Sequence, residues 1–262
     1  MSYVAPLADM RFVLDEVAGL REVAGLPGYE AAASDLVEAI LGEAGKLAQS
    51  TIAPLNQPAD RAGCVLENGV VRTPPGFRDA YARYVAGGWS GLASDPDYGG
   101  QGLPLALATP VTEMWNSACM SFALCPLLNL AAAELLQVHG SVEHKQLYLG
   151  RLVSGEWTGT MNLTEPQAGS DLGALRTRAD PEDGHYRITG QKIFITYGDH
   201  DLTPNIVHMV LARTPQAPPG SKGISLFVVP KFLPDAAGAP GFRNDVRTLS
   251  LEHKLGIHGS PT

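Results

Sequence analysis

The sequence contains little cysteine and no concentration of positive charge, and both absences exclude classes of protein. Cys64, Cys119 and Cys125 form no CxxC pair and no metal-ligand spacing, so we expect reduced, mostly buried thiols in a cytoplasmic protein. Lysine and arginine total 19 against 27 acidic residues, for a net charge of −8 at pH 7. Because the basic residues are also scattered, no nucleic-acid or anionic-membrane partner is expected.

Targeting signals are scarce as well. The opening residues, MSYVAPLADMRF, lack the charged start and long apolar core of a secretory signal. By inspection, no apolar stretch reaches the roughly 18 residues that a membrane span needs. The sequence therefore predicts a cytoplasmic chain without a membrane span.

Two common nucleotide motifs and a convincing metal site are missing too. GGQGLP (99–104) departs from G-x-G-x-x-G at its last position, and Gly45-Lys46 is followed by Leu47 rather than by the hydroxyl residue of a Walker A loop. Asp199-His200-Asp201 has no second His or Cys cluster nearby. Since consecutive residues do not easily converge on one ion, a polar hairpin tip is favoured over a metal site.

Apolar spacing predicts helices throughout the first 155 of the 262 residues. The first predicted helix has an apolar stripe of Leu7, Met10, Leu14 and Val17, and the second is capped by Ser34 and ends near Ser50. The third carries Phe77, Tyr81, Tyr84 and Val85. The fourth covers Thr109–Gln137, and the fifth is capped by Ser141 and ends near Leu152. The fourth is apolar nearly all round, so we expect it at the centre of a helical bundle.

After Gly155 the pattern changes to strands. Predicted strands include Met161–Thr164, Ile206–Ala212, Ile224–Val229, alternating segments carrying Tyr186, Ile188, Ile193 and Ile195 around a bulge at Gly190, and the beginning of a strand in the tail after Leu249. Asp183-Gly184 is typical of a hairpin turn. Helices followed by strands predict an α+β protein: a helical domain over 1–155, then an antiparallel β-barrel-like domain over 156–262 that is incomplete at its C-terminal end.

The segment MNLTEPQAGSD (161–171) has two interpretations from its residues alone. Pro166 and Gly169 suit a turn, and Ser170-Asp171 suits a cap. Alternatively, Thr164 could bond the edge of a heteroaromatic ring, while Gly169 and Ser170 admit and bind an anionic phosphate. In KIFIT (192–196), the aromatic ring could equally be an ordinary core side chain.

Several stretches together resemble the acyl-CoA dehydrogenase family. MNLTEPQAGSD and KIFIT look like its flavin-binding signature, and DPDYGGQGLP (95–104), HGSVEHKQLYLGRLVSGEWTGTMNLTEP (139–166) and SKGISLFVVPK (221–231) agree at family spacing. The resemblance covers nearly the whole chain. The opening YVAPLADMRFVLDEV and the segment ITYGDHDLT are most similar to the long 3-methylmercaptopropionyl-CoA dehydrogenase-like branch.

The resemblance implies an FAD site between a helical domain, a middle β-domain and a C-terminal four-helix domain. Leu163 and Thr164 would contact the flavin ring, and Gly169 and Ser170 the pyrophosphate, with Ser170 also along the substrate's path. Phe194 and Thr196 would line the other side of the ring. Many relatives carry tryptophan where Phe194 stands, so a contact that needs an indole N–H is not expected here.

The implied reaction is α,β-dehydrogenation of an acyl-CoA thioester to the trans-2-enoyl product. A carboxylate takes the α-proton, hydride leaves for the flavin, and electrons pass to an electron-transferring flavoprotein, typically from a homo-oligomer. Family members take their base from the C-terminal domain, so no catalytic residue is expected within this chain. Glu165 is instead expected to orient its loop. The chain alone is therefore expected to be inactive. A flavin oxidase or monooxygenase, or a non-catalytic binding module with an open sheet edge, are the alternatives.

Overall fold

The computed structural model describes residues 3–32 and 34–262, and the side chain of Ser34 lies outside the description. The helices are α1 (Leu7–Phe12), α2 (Leu20–Ala24), α3 (Ser34–Leu47), α4 (Asn56–Ala62), α5 (Phe77–Ala86), α6 (Leu105–His139), α7 (Val142–His144) and α8 (Gly150–Ser154), with π-helical turns after α1, α3 and α7. The strands are β1 (Val65–Glu67), β2 (Val70–Arg72), β3 (Thr158–Asn162), β4 (Arg178–Glu182), β5 (His185–Thr189), β6 (Ile206–Ala212), β7 (Ser225–Pro230), β8 (Phe232–Pro234) and β9 (Pro240–Arg243).

Helix α6 is the centre of the helical half, as predicted from its apolar composition. Its buried residues include Met114 and Phe122, and the Phe122 ring packs edge-on against Phe77 of α5 at 5.6 Å. The helix is kinked at Cys119, where φ is −161° and ψ is 95°. The predicted capping of the next helix is confirmed, because the Ser141 hydroxyl accepts from the His144 N–H at 3.2 Å. The predicted N-cap role of Ser34 lies outside the described side chains.

The length of α6 corrects one expectation from the sequence. At 35 residues and with a mean hydropathy of 1.7 in its most apolar window, it is long and apolar enough to cross a membrane. However, 56% of that window is buried inside the protein. This burial is the pattern of a core helix.

The β-domain is built on a three-stranded sheet with the order β3-β6-β7. Strand β3 runs parallel to β6, and β6 runs antiparallel to β7. Val207 and Met209 on one face join a core with Ala132 and Leu136 of α6 and with Trp157. The opposite face borders an open groove. The α+β arrangement is thus confirmed, and within the described residues the strands do not close into a barrel.

Two antiparallel hairpins accompany the sheet. Strands β4 and β5 pair around the predicted turn at Asp183-Gly184, and β8 pairs with β9. Gly190 follows β5 and is not a bulge. A side chain there would meet the Thr177 hydroxyl oxygen at 2.3 Å, so close approach of the backbone accounts for this glycine.

The predicted strand over residues 192–196 is wrong. Phe194 and Tyr197 have positive φ angles of 58° and 53°, which an extended strand does not contain. The backbone N–H of Ile193 bonds to the Thr164 carbonyl at 3.0 Å, and that of Tyr197 bonds to the Pro261 carbonyl at 2.7 Å. Long-range contacts, rather than a strand partner, therefore shape this segment.

The predicted strand in the tail is wrong as well, because residues 249–262 have no strand pairing. Their backbone is held by the helical half instead. The His258 N–H donates to Asp60 Oδ1 at 3.1 Å, and the Cys64 thiol donates to the Gly259 carbonyl at 3.2 Å. The last four residues are buried.

Side chains from the helical half also fix the start of the sheet. Asn129 of α6 donates to the Leu152 carbonyl at 2.8 Å and accepts from the Gly159 N–H at 3.0 Å. The Tyr81 hydroxyl donates to the Gly155 carbonyl at 3.0 Å. The bond between Gly159 and Asn129 crosses the predicted boundary near residue 155, and the boundary stays a prediction.

Candidate functional site

The segment after β3 forms a tight turn. The Glu165 N–H donates to the Ala168 carbonyl at 2.9 Å, and the Ala168 N–H returns a bond to Glu165 at 3.0 Å. Strand β3 ends at Asn162, so Thr164 lies two residues beyond the strand end. Pro166 occupies the second position of the turn, where its fixed φ is favourable. Turn chemistry is therefore present, and it leaves the side chain of Thr164 half-buried rather than enclosed.

Glu165 is the most heavily bonded carboxylate of this region. It is 3% exposed and accepts from the Arg176 N–H at 2.7 Å, the Thr177 N–H at 3.0 Å and the Gln167 side chain at 2.6 Å. Burial pushes the pKa of Glu165 up, but these hydrogen bonds and Lys192 outweigh it and lower the pKa to about 2. This carboxylate is thus ionised and fully engaged.

Lys192 joins the two sequence motifs. Its ammonium donates to Glu165 Oε1 at 2.9 Å and to the Leu163 carbonyl at 2.9 Å. Burial lowers the pKa of Lys192, and the Glu165 charge opposes that shift. Together with the backbone bond from Ile193 to Thr164, this ion pair holds segments 161–171 and 192–196 side by side.

Segments 161–171 and 192–196 together form what we call the junction, and Phe194 within it is 46% exposed. Its φ of 58° is in the left-handed region, which is unusual for a bulky side chain. The Lys254 ammonium sits 4.5 Å from the ring centroid. An exposed aromatic ring is thus fixed at the surface, next to the half-buried Thr196.

The loop after the turn is open. Gly169 and Ser170 are exposed, and a side chain at Gly169 would meet nothing within 4 Å. Asp171 caps the next turn by accepting from the Gly173 N–H at 2.9 Å. Throughout the part of the chain that is described, the hydroxyls of Thr164, Ser170 and Thr196 have no hydrogen-bond partner, so each is free to bond a ligand.

A large open groove of about 1660 Å³ borders the junction. Its walls include Lys192 and Phe194 from the second motif, Asn162 from β3 and His208 from β6. The exposed loop at Gly169 and Ser170 lies outside this lining. The structure thus brings Leu163, Thr164 and residues 192–196 together and leaves Gly169 and Ser170, which the sequence predicts at a pyrophosphate, on the adjacent surface.

Sequence reasoning missed the burial of two histidines, His208 on β6 and His200 in the loop before it. His208 is 3% exposed and its Nδ1 lies 2.7 Å from the Thr160 hydroxyl. Because that hydroxyl donates its hydrogen to Asn162 at 2.6 Å, His208 Nδ1 must be the donor. Burial lowers the pKa of His208 to about 4. The available signal was the otherwise continuous apolar run IVHMVLA, which is typical of a strand buried on both faces.

His200 is also buried, at 2% exposure. Its Nδ1 accepts from the Leu202 N–H at 3.1 Å, and its Nε2 lies 2.9 Å from the Thr158 hydroxyl. Burial, followed by the charge of Lys231, lowers the pKa of His200 to about 3. The predicted polar hairpin tip at 199–201 is therefore wrong, because its first two residues are interior.

The acidic neighbours of His200 are engaged as well. Asp199 pairs with the Lys231 ammonium at 2.5 Å and accepts from Thr248 at 2.9 Å. Asp201 accepts from the backbone and hydroxyl of Thr73. Among the residues with described positions, no cluster of three or more His, Cys, Asp or Glu side chains could hold a metal ion.

Comparison with known proteins places this geometry in a family. The description "Acyl-CoA dehydrogenase, N-terminal domain" matches residues 34–156, and "Acyl-CoA dehydrogenase, middle domain" matches residues 160–262. The 3-methylmercaptopropionyl-CoA dehydrogenase of Ruegeria pomeroyi is 48% identical over 263 residues, which cover 100% of this chain and 45% of that protein. The chain belongs to the acyl-CoA dehydrogenase family. It spans about half the length of the curated relatives it matches.

Solved structures of the family agree in fold. A chain in the structure of the electron transferring flavoprotein of Acidaminococcus fermentans matches with a TM-score of 0.68 and 26% identity, covering 87% of this chain and 54% of that chain. The acyl-CoA dehydrogenase of Bacillus anthracis complexed with FAD matches with a TM-score of 0.66 and 22% identity, covering 87% of this chain and 34% of that chain. The second likeness, at this identity, shows the fold alone.

The residues of the junction fit the flavin cofactor that acyl-CoA dehydrogenases use. Three free hydroxyls, at Thr164, Ser170 and Thr196, supply hydrogen-bonding groups, and the exposed ring of Phe194 supplies an aromatic surface. The open space at Gly169 leaves its backbone accessible to a phosphate. The junction is therefore suited to a ligand with both an aromatic ring and an anionic group.

Proposed function

We propose that this chain carries the flavin-binding half of an FAD-dependent acyl-CoA dehydrogenase. The observation behind the proposal is the junction itself: Lys192 and the Ile193–Thr164 backbone bond hold the two motifs together while their ligand-facing groups stay free. In this account Leu163 and Thr164 contact the flavin ring from one side. FAD supplies the two-electron acceptor for α,β-dehydrogenation of an acyl-CoA thioester.

The other predicted site residues contact the second side of the flavin ring or the pyrophosphate. Phe194 and Thr196 line the second side of the ring, and Gly169 and Ser170 bind the pyrophosphate through backbone N–H groups and a hydroxyl. Ser170 also borders the path of the acyl-CoA. The relative from Ruegeria pomeroyi, a 3-methylmercaptopropionyl-CoA dehydrogenase by name, supports an acyl-CoA thioester as the substrate class.

Glu165 is a structural residue rather than the base. A carboxylate that accepts an α-proton needs an accessible oxygen and a pKa near the working pH. Glu165 is 3% exposed, its pKa is about 2, and its oxygens accept from four donor residues. The proposed base is therefore a carboxylate outside this junction.

Residues 1–262 alone are expected to show no dehydrogenation, because Glu165, the buried carboxylate of the first motif, is engaged by four donor residues and is not available as a base. The measurement is reduction of an artificial dye after mixing the purified chain with FAD and butyryl-CoA. A relative with the complete length serves as the positive control. Robust dye reduction by residues 1–262 would refute this assignment of Glu165.

In the complete reaction we propose that electrons pass to an electron-transferring flavoprotein and that the enzyme works as a homo-oligomer in the cytoplasm. The flavoprotein role is supported by the name of the structural neighbour from Acidaminococcus fermentans. The acidic net charge of −8 is compatible with a soluble protein partner.

The cofactor proposal predicts a selective effect at Gly169. Gly169→Val should weaken FAD binding by about tenfold or more, since about 1.4 kcal/mol of lost contact is a factor of ten. Stability should stay within about 0.5 kcal/mol, because open space surrounds the position. Quenching of FAD fluorescence during titration gives the affinity.

Gly42→Val is the matched control, since Gly42 on α3 is equally open and lies far along the chain from both motifs. It should leave FAD affinity unchanged. Equal FAD affinities for the wild-type chain and both variants would show that Gly169 does not contact FAD. Lack of any quenching by the wild-type chain would count against FAD as its ligand.

A further inference from the structure

Lys254 differs from the other half-buried lysines of the β-domain. Lys192 pairs with Glu165 at 2.9 Å and Lys231 pairs with Asp199 at 2.5 Å. Lys254 is also half-buried, yet no described carboxylate lies within 4.0 Å of its ammonium. Its partner is the Phe194 ring, with Nζ 4.5 Å from the centroid, inside the range of a cation–π interaction.

The backbone holds Lys254 firmly in place. It opens a tight turn in which the Ile257 N–H donates to the Lys254 carbonyl at 3.2 Å, and Gly256 provides the required positive φ of 76°. The Glu252 N–H before the turn bonds to the Thr262 carbonyl at 2.7 Å. After the turn, the His258 N–H bonds to Asp60. The backbone from which the Lys254 side chain reaches Phe194 is therefore fixed by hydrogen bonds on both sides.

The orientation of the Phe194 ring is not fixed by its own backbone. Its left-handed backbone conformation is one that bulky side chains rarely adopt, and the residue remains 46% exposed. Backbone bonds at Ile193 and Tyr197 fix the chain on either side, but they do not fix the ring. The ammonium of Lys254 lies over the ring and leaves part of the aromatic surface open to a ligand.

We propose that Lys254 is a positioning residue for the flavin. Its ammonium orients the Phe194 ring so that the remaining aromatic surface can receive the isoalloxazine. This inference rests on the proposed function. It adds a residue some 60 positions from Phe194 that neither motif contains.

The test is a double-mutant cycle on FAD affinity, measured by quenching of flavin fluorescence. Lys254→Met keeps an unbranched side chain of similar length and removes the charge, and we expect FAD to bind about two- to fivefold more weakly, the range of an exposed cation–π contact. Lys254→Arg retains the charge and should retain the affinity. In a Phe194→Leu background, Lys254→Met should have about no effect, because the ring is gone.

Lys222→Met is the matched control, since Lys222 is exposed and has no ion-pair partner among the described residues. It should bind FAD like the wild-type chain. The visible circular dichroism of the bound flavin provides a second readout, which should change in Lys254→Met and return in Lys254→Arg. A merely structural role would shift thermal stability without this pattern.

The outcomes separate the inference from the proposed function. If the wild-type chain binds FAD and Lys254→Met binds it equally well, the role of Lys254 is overturned. The same holds if Lys254→Met weakens binding equally in the Phe194→Leu background. Both results would leave the cofactor assignment standing. Failure of the wild-type chain to bind FAD would overturn both.

Discussion

Lowering the pH from 7 to 5.5 is expected to cost this chain about 3 kcal/mol of unfolding free energy, and the cause is a pair of buried histidines. His200 and His208 have pKa values of about 3 and about 4 in the folded chain, against about 6.5 when unfolded. At pH 5.5, one unit below the unfolded value, each histidine costs about 1.4 kcal/mol, because only the unfolded chain takes up its proton.

The direction of the effect follows from the lowered pKa values. The stabilisation is fully present only well above pH 6.5, where both histidines are neutral in either state. It is lost progressively as the pH falls from 6.5 towards the folded pKa values of about 3 and about 4. Urea unfolding at a series of pH values measures the slope.

Two variants isolate the source of this slope. His208→Gln can still donate to the Thr160 hydroxyl but cannot titrate, so the loss at pH 5.5 should fall to about 1.4 kcal/mol. His139→Gln removes an exposed histidine and should change nothing. A free energy of unfolding that stays level between pH 7 and 5.5 in the wild-type chain would show that these imidazoles are not buried neutral.

Lys192→Met should lower the free energy of unfolding by about 3 to 5 kcal/mol, the usual cost of leaving one partner of a buried ion pair alone. The side chains of Lys192 and Glu165 are 9% and 3% exposed. Without the ammonium, the Glu165 carboxylate stays buried with its hydrogen bonds but without a counter-charge. The junction of the two motifs also loses the bond to the Leu163 carbonyl, so FAD affinity should fall with stability.

The exposed pair of Lys46 and Glu43 provides the comparison. Its side chains are 72% and 63% exposed and its atoms are 2.6 Å apart, so geometry alone does not distinguish it from the buried pair. Lys46→Met should cost no more than about 0.5 kcal/mol, because solvent screens the charges. Similar losses in the two variants, both measured by urea unfolding, would mean that Lys192 is not held in a buried pair.

The local sequence pattern was sufficient to predict those elements whose structure depends on their own residues. The apolar composition of Thr109–Gln137 predicted the central helix α6, and the strand predicted over Ile206–Ala212 is β6. The Asp183-Gly184 turn was also readable, since its chemistry is contained in adjacent residues. In each case the information lies within one element.

Pattern failed where distant contacts decide the structure. KIFIT has the β-branched composition of a strand, yet the N–H of its Ile193 bonds to Thr164 and that of the following Tyr197 bonds to Pro261, and no local rule reveals those partners. The ion pair of Glu165 and Lys192 links residues 27 apart, so the sequence showed two motifs but not the bond between them. The contact of Lys254 with Phe194 was hidden for the same reason.

The most direct test of the account is amide hydrogen exchange of residues 1–262 with and without FAD. FAD is expected to slow exchange in segments 161–171 and 192–196, with little change in helices α1 to α4. Protection confined to other segments, or no protection at FAD concentrations that saturate a complete relative, would contradict the claim that these two segments form the flavin site.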